Sequence, residues 1–203
     1  LSLTPEQSMT TENNIRTVID RLSRYQTKEG GFAYWPGENY ISEWVTAYII
    51  QFLVSAQQQG YSVPVAMLQN ALNYTGQIAN RWVRTEPWAQ QEQAYRLFVL
   101  ALAEHPDMAA MNRLKESQLK NPVSQWLLAS AYALSHQEEI ARTMIRNLSS
   151  EVASYRETGR TYGSDIRDYA LILQSMIILD MRQDAYRMLE KISKAMGSEQ
   201  WLS

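Results

Sequence analysis

Few residues of this 203-residue chain have side chains that catalysis or metal binding requires. It contains no cysteine, which excludes disulfides, thiolate metal ligands and a thiol nucleophile within this sequence. The two histidines, His105 and His136, stand at predicted helix ends without an acidic or histidine partner at metal-ligand spacing. We interpret both as solvated residues. No phosphate loop, dinucleotide fingerprint or Gly-x-Ser-x-Gly motif is present, so the sequence predicts no catalytic residue, cofactor or metal.

One acidic pair has a spacing that chemistry would use. Asp165 and Asp168 lie one helical turn apart, with Arg167 between them and Tyr162 in the polar loop just before. Such a pair would serve as an acid and base or as metal ligands. The alternative is that Asp165 favours the positive end of a helix while Asp168 pairs with a nearby arginine. We favour this second, structural interpretation.

The most distinctive stretch is an aromatic loop at residues 30–40. Gly30 and Gly31 allow positive φ angles and close backbone approach, and aromatic side chains follow them. Exposed aromatics would stack on a ligand or partner, whereas buried ones would plug one end of a helical barrel, which is the interpretation we favour. The candidate interaction residues of this loop and of the acidic region are Phe32, Tyr34, Trp35, Trp44, Tyr162, Asp165, Arg167 and Asp168.

The elements that position these residues are predicted to be helices throughout. Apolar residues recur three and four apart, few glycines and prolines interrupt them, and about nine helices result. The first helix is predicted to begin after Thr10 or Thr11, and Ser42, Asn121 and either Ser164 or Asp165 are predicted as later N-caps. The third helix is predicted to bury Val83, and a later one to run from Glu138 to Leu148.

Two predicted helices, 44–56 and 166–181, are apolar almost all round and are therefore expected to be buried on two sides. Inner helices wrapped by amphipathic outer ones predict an all-α fold, an α/α toroid of antiparallel helix pairs like that of terpenoid cyclases. A solenoid of helical pairs is the competing arrangement. We expect residues 1–203 to form a single such domain, cut at both ends from a larger multidomain protein.

Composition excludes several classes of partner. The chain is 45% hydrophobic and 20% charged with a net charge of −2, which favours neither nucleic acid nor an anionic membrane. No apolar stretch is long enough to span a bilayer, so no direct membrane insertion is expected. Residues 1–10 lack the features of a signal peptide, so an exported parent protein would carry its signal upstream.

Two runs of residues carry a family resemblance. They resemble the thioester domain of bacterial alpha-2-macroglobulin-like proteins in order and spacing, whereas the middle of the chain matches mainly as helices. The first run includes Arg21-Leu22, Gly30-Gly31-Phe32, Trp35-Pro36-Gly37, Glu43-Trp44-Val45-Thr46-Ala47-Tyr48 and Gly60-Tyr61-Ser62-Val63-Pro64, and the second comprises residues 162–170 and Trp201-Leu202-Ser203.

The resemblance implies a scaffold role in a larger inhibitor rather than an enzyme. Such a protein would be periplasmic or attached to the cell envelope and serve host defence as a broad protease trap. A protease cuts a bait region, the trap rearranges, and an internal Cys–Gln thioester acylates the attacker. The family's Cys-x-Glu-Gln motif would lie upstream of Leu1, because Pro5-Glu6-Gln7 lacks the cysteine. The implied partners are the neighbouring domains of the parent chain and, through it, target proteases.

Two other functions compete with the trap scaffold. The first is an enzyme on the same toroid: a polysaccharide lyase would need a basic residue and a tyrosine, which Arg160, Tyr162 and Arg167 would supply. The acid motif of cyclases and the zinc site of prenyltransferases are not visible in the sequence. The second alternative is a helical-repeat binding module.

Overall fold

The structure is a computed structural model that describes residues 4–83, 86–159 and 161–197. These residues form nine α-helices joined by short connections, and three isolated β-bridges are their sole extended pairings. The helices are α1 (Pro5–Leu22), α2 (Glu43–Gln58), α3 (Val65–Arg81), α4 (Pro87–Leu102), α5 (Met108–Glu116), α6 (Pro122–Leu134), α7 (Glu138–Ile145), α8 (Asp165–Ile178) and α9 (Arg182–Met196). The all-α class predicted from the sequence is confirmed.

The chain divides into two compact units, Leu1–Ile78 and Ala79–Ser203. The first unit holds α1, α2 and most of α3, and the second holds the remaining helices. The expectation that residues 1–203 form one domain stays a prediction. Within the described ranges, no helix combines the length and the apolar character that crossing a membrane would require.

Helix α1 begins earlier than its apolar pattern predicts. Its N-cap is Thr4, whose side chain accepts a hydrogen bond from the backbone of Gln7, while the Gln7 side chain accepts one from the backbone N–H of Thr4. This reciprocal capping box, with Pro5 as first helical residue, satisfies backbone donors that a helix start otherwise leaves unpaired. The prediction that α1 begins after Thr10 or Thr11 is therefore wrong.

Helix α2 begins where its capping residue predicts. The Ser42 hydroxyl accepts a hydrogen bond from the backbone N–H of Val45, and Ile50 and Leu53 are fully buried. Tyr48, however, is 63% exposed, so α2 buries a broad face rather than its whole surface. Ser164 likewise caps α8, accepting a hydrogen bond from the backbone N–H of Arg167, and Ile177 on that helix is 63% exposed. Both helices therefore leave part of their surface exposed, and the expectation that they are buried on two sides stays a prediction.

The second unit is built around α4 and α6. Helix α4 packs against α6, α6 against α7 and α8, and α8 against α9. Helix α4 is buried along nearly its full length although it carries Gln90, Gln93 and Arg96, each at most 3% exposed. These polar groups have partners: Gln93 donates to the backbone oxygen of Ala79, and Arg96 donates to the Gln93 side chain. Paired polar side chains can be buried at little net cost, so the apolar pattern alone does not indicate how completely this helix is buried.

Three smaller predictions have clear outcomes. Val83 lies beyond the end of α3 and is 84% exposed, so its predicted burial is wrong. Helix α7 ends at Ile145, three residues before the predicted Leu148. His105 and His136 are both exposed just after helices, with His136 at a positive φ of 58°, which confirms their interpretation as solvated residues at helix ends.

Candidate functional site

The second unit contains a buried carboxylate, Asp168, in the first turn of α8. It is 2% exposed, and four hydrogen bonds converge on it. Arg167 donates to its Oδ1 from Nε (3.1 Å) and Nη2 (2.7 Å). Gln91 donates to Oδ1 at 3.2 Å, and the Tyr155 hydroxyl donates to Oδ2 at 2.7 Å. These donors replace the water that burial removes, which allows a carboxylate to remain in the interior.

The cluster continues towards the start of α6. Gln91 accepts a 3.1 Å hydrogen bond from the Asn121 side-chain amide. Asn121 in turn caps α6, because its side-chain oxygen accepts a 2.8 Å hydrogen bond from the backbone N–H of Val123. The network therefore ties the beginnings of α6 and α8 to the second turn of α4. Since each amide both donates and accepts, the orientation of one side chain fixes that of the next.

Tyr155 belongs to a loop of residues 151–164, here called the second loop, of which residue 160 lies outside the described residues. Burial raises the pKa of the Tyr155 hydroxyl well above its ordinary value, and the hydrogen bond and negative charge of Asp168 raise it further. The positive charge of Arg167 opposes this effect. At neutral pH the phenol is therefore a hydrogen-bond donor and does not act as a base.

The second loop is held by its backbone as well as by its side chains. The backbone N–H of Glu157 donates to the carbonyl of Gly163 at 2.7 Å, and Arg167 Nη1 donates to the carbonyl of Thr161 at 2.9 Å. A Cβ at Gly163 would lie 2.7 Å from the Tyr155 hydroxyl oxygen and 3.0 Å from Arg167 Nη2. Glycine at residue 163 therefore leaves room for these two side chains in the network, and a Cβ there would displace them.

A cleft of about 600 Å³ opens above this network. Asp168 and Gln91 lie among its lining residues, and Trp88, Pro122 and Val152 provide apolar walls. A polar group surrounded by apolar walls is the usual composition of a small-molecule site. Here, however, the polar atoms of the floor already bond to one another, so the arrangement holds the second loop in place rather than presenting an unsatisfied reactive group.

The structure separates the two interpretations of the acidic pair. Asp165 accepts a 2.9 Å hydrogen bond from the backbone N–H of Ile166 at the start of α8, and Asp168 forms a 2.7 Å ion pair with Arg167. These are the contacts of the structural interpretation. In the part of the chain that the structure describes, no group of three or more histidine, aspartate or glutamate residues is arranged to hold a metal ion.

The first unit positions the aromatic loop between α1 and α2, residues 23–42, here called the first loop. Phe32 is fully buried, and its backbone N–H donates to the Thr46 hydroxyl at 2.9 Å. Thr46 is 1% exposed and itself donates to the backbone oxygen of Ser42 at 2.8 Å. The backbone N–H of Ser42 donates to the carbonyl of Phe32 at 2.9 Å, which completes a ring of contacts around the base of the loop.

The remaining predicted residues are divided between core and surface. Phe32 fills the interior, as expected for a plug, whereas Tyr34 is 38% exposed and Trp35 67% exposed. Trp44, at the start of α2, is half-buried, and Tyr162 is 59% exposed at a positive φ of 50°. Arg160, invoked for a lyase, lies outside the described residues. The role of the candidate interaction residues in binding a partner stays a prediction.

Sequence reasoning missed that three residues, Gln91, Asn121 and Tyr155, belong to the hydrogen-bond network around Asp168. Asn121 was predicted as a cap and the loop before Asp165 was recognised as polar, but neither pattern indicates a bond to a distant partner. Gln91 and Asp168 are 77 residues apart in the sequence. The apolar pattern of α4 gave no indication that the Gln91 amide is buried, because its burial depends on how α4 packs.

Comparisons with known proteins agree with the sequence resemblance. Residues 2–81 match the family model of the A-macroglobulin TED domain. The chain is 28% identical over 207 aligned residues to the alpha-2-macroglobulin of Escherichia coli strain K12, a match that covers 91% of this chain and 12% of that protein. It is 26% identical over 195 residues to the alpha-2-macroglobulin of Xylella fastidiosa strain Temecula1, again covering 91% of this chain and 12% of the relative.

The comparison with solved structures also finds alpha-2-macroglobulins. Escherichia coli alpha-2-macroglobulin activated by porcine elastase matches 96% of this chain and 18% of that chain, with a TM-score of 0.79 and 24% identity. At that identity the match shows the fold alone, and it agrees with the expected α/α toroid. The resemblance read from the sequence is confirmed, over a fragment that spans about an eighth, 12%, of the curated relatives it matches.

Proposed function

We propose that this chain belongs to the bacterial alpha-2-macroglobulin family and is the scaffold part of the thioester domain of a broad-spectrum protease trap. The observation that carries the proposal is the alignment of 91% of the chain with an alpha-2-macroglobulin, together with the TED family match over residues 2–81. The polysaccharide lyase and the helical-repeat module lack a comparable supporting observation. As a further part of this proposal, residues 1–203 form a single toroid domain.

The proposed role requires no catalysis by this chain. The cluster that most resembles an active site consists of Asp168, Arg167 and Tyr155, and these side chains bond to one another. A catalytic base needs a lone pair available to substrate, but the Asp168 carboxylate already accepts four hydrogen bonds. We therefore assign this cluster to the stability of the second loop.

The activity of the whole protein is proposed from its relatives. One relative, from Escherichia coli, is described as activated by porcine elastase, and another, from Salmonella, as reacted with methylamine. By analogy, a protease would cut the parent of this chain outside residues 1–203 and trigger its rearrangement. A thioester upstream of Leu1 would then acylate the protease. We propose that the parent is periplasmic or bound to the cell envelope, where it meets foreign proteases in host defence.

The experiment that tests the trap uses the parent protein with its residues upstream of Leu1. The protein is treated with methylamine, and free thiols and intact mass are measured. Because this chain contains no cysteine, any thiol released comes from elsewhere in the parent. One new thiol and one added methylamine would identify a live thioester. An unchanged mass would identify a relative without the thioester cysteine, which must hold proteases by caging or bind something else entirely.

A second measurement decides whether the parent traps proteases at all. The parent is incubated with elastase, and the protease retained is measured by size-exclusion chromatography, followed by denaturing electrophoresis for covalent products. Retention in either form supports the trap. Cleavage of the parent without any retained protease overturns it. Polysaccharide cleavage that is lost on Tyr162→Phe would instead support the lyase.

A further inference from the structure

The seven residues at the end of the first loop, 34–40, form a closed tip. An antiparallel bridge between Ala33 and Ile41 joins its two ends. At its apex, the backbone N–H of Glu38 donates to the carbonyl of Trp35 at 3.3 Å, and Gly37 has a positive φ of 80°. Proline at the second position and a positive-φ glycine at the third are the signature of a type II turn. The aromatic tip, as residues 34–40 are called below, therefore has a defined backbone.

The base beneath the aromatic tip is anchored on both sides. Gln26 donates from its side-chain nitrogen to the backbone oxygens of Gly30 (2.9 Å) and Met67 (2.8 Å). A Cβ at Gly31 would lie 2.5 Å from the Ile41 side chain and 3.0 Å from the Tyr74 ring, so the backbone packs closely there. Phe32 is completely buried. Little conformational freedom remains to be lost when the tip contacts a partner.

The side chains of the aromatic tip face the surface. Trp35 is 67% exposed, Tyr40 78% and Tyr34 38%. Three large aromatic side chains within seven residues of a closed loop are costly to leave in water. Rigidly presented tryptophan and tyrosine side chains are also the commonest anchors of protein interfaces. Other tyrosines among the described residues are also strongly exposed, such as Tyr186 at 65% on α9. None of them shares a closed loop with a tryptophan.

We propose that the aromatic tip docks into an apolar pocket on another domain of the same polypeptide. The proposal rests on the chain being one domain of a larger family member. The chain spans 12% of its curated relatives, so most of such a polypeptide lies outside it. A domain tethered to this one is present at a high effective concentration, which favours it over any free partner.

The charge of the aromatic tip indicates what surrounds the pocket. Glu38 is exposed between Trp35 and Tyr40, and residues 34–40 contain no lysine or arginine. A pocket rim with a lysine or arginine opposite Glu38 would be complementary in charge. Inside the pocket, a hydrogen-bond acceptor would satisfy the indole N–H of Trp35, and apolar side chains would cover its ring.

Site-specific photo-crosslinking in the parent protein tests the docking. A benzophenone amino acid replaces Trp35 in one variant and Tyr186, whose exposure is nearly the same, in the control variant. After irradiation, crosslinked peptides are identified by mass spectrometry. We expect a several-fold higher crosslink yield at residue 35 than at residue 186, into a different domain of the same chain and without an increase in molecular mass. Equal yields, or crosslinks from residue 35 only to a second copy or a protease, overturn the proposal.

A second measurement guards against disturbance of the pocket by the bulky probe. Hydroxyl-radical footprinting of the unaltered parent measures the oxidation of each tryptophan and tyrosine. We expect Trp35 and Tyr40 to be oxidised several-fold more slowly than Tyr186, and full reactivity of both contradicts docking. The footprinting result can be separated from the result of the elastase experiment. A parent that retains elastase while its Trp35 is fully oxidised refutes the docking alone. A parent whose Trp35 is protected but that retains no elastase refutes the trap alone.

Discussion

The first and second loops are both anchored to the helix that follows them, but the anchoring side chains differ in chemistry. Each leads into an apolar helix through a capping serine, Ser42 or Ser164, and each is closed by an isolated antiparallel bridge. Each also contains a glycine whose Cβ would collide with a neighbouring side chain. Four residues after the serine, a buried polar side chain anchors the loop: Thr46 in the first and Asp168 in the second.

The anchors differ in charge, and that difference determines which groups of each loop they bond to. Thr46 bonds to backbone atoms of the first loop, and the exposed side chains of Trp35 and Tyr40 take no part in these bonds. Asp168 bonds to side chains, and it therefore occupies Tyr155 and Arg167. A neutral backbone anchor leaves side chains available for a partner, whereas a buried charge requires them as donors.

The largest expected effect comes from removing the charged anchor. Asp168→Ala removes the carboxylate that balances the charge of the partly buried Arg167, and such a loss destabilises a protein by about 4 kcal/mol. The chain's free energy of unfolding in urea measures this. Asp165→Ala is the matched control on the same helix turn, and its surface interaction with the helix end is worth only about 0.5 kcal/mol. Equal losses in the two variants would show that Asp168 is not the anchor of the second loop.

The next effect tests the close packing at the base of the first loop. Gly30 has a φ of 99°, and a Cβ there would lie 2.5 Å from the backbone oxygen of Asn70. Gly30→Ala should destabilise the chain by about 3 kcal/mol, because strain and overpacking add. Gly60 has a similar φ of 85° but open space around it, so Gly60→Ala should cost about 1 kcal/mol. Thermal unfolding followed by circular dichroism compares them, and similar shifts would contradict the packing described for Gly30.

A smaller loss is expected when the neutral anchor is removed. Thr46→Ala leaves the buried backbone N–H of Phe32 without its acceptor, which costs about 2 kcal/mol. Thr46→Ser keeps the hydroxyl and loses only a methyl group, so about 1 kcal/mol is expected. Urea unfolding distinguishes the variants. If serine proves as destabilising as alanine, then packing of the methyl group, rather than the hydrogen bond, holds the first loop.

The smallest effect at neutral pH is expected from Tyr155→Phe, at about 1 kcal/mol, because the hydroxyl that donates to Asp168 and accepts from Arg167 belongs to a partly exposed side chain. Its signature is pH dependence. The folded state raises the pKa of Tyr155, so the unfolded chain releases that proton first and stability falls as pH rises above the ordinary value of 10. Removing the hydroxyl should make that fall less steep. Tyr132, with its pKa raised to about 12, still contributes in both proteins. Parallel stability curves above pH 10 would contradict the role given to Tyr155.

Much of the local structure was predictable from the sequence. Ser42, Asn121 and Ser164 cap the helices they were predicted to begin, and Pro122 is the first residue of α6. These signals work because a cap bonds to backbone atoms two or three residues away. The same chemistry marks the start of α1, where Thr4 and Gln7 form a capping box that the apolar pattern concealed. Asp168 was also correctly expected to pair with a nearby arginine.

The sequence by itself therefore determined the helical class, most helix starts and the family resemblance, since these depend on neighbouring residues and ordered motifs. Tertiary structure alone decided that α4 is buried despite its glutamines, that Phe32 points inward while Trp35 points outward, and that Gln91 reaches Asp168. The physical reason is that burial of a polar group depends on whether a partner meets it. That partner stands 77 residues away in the case of Gln91 and Asp168, and only the packing of the helices brings the two together.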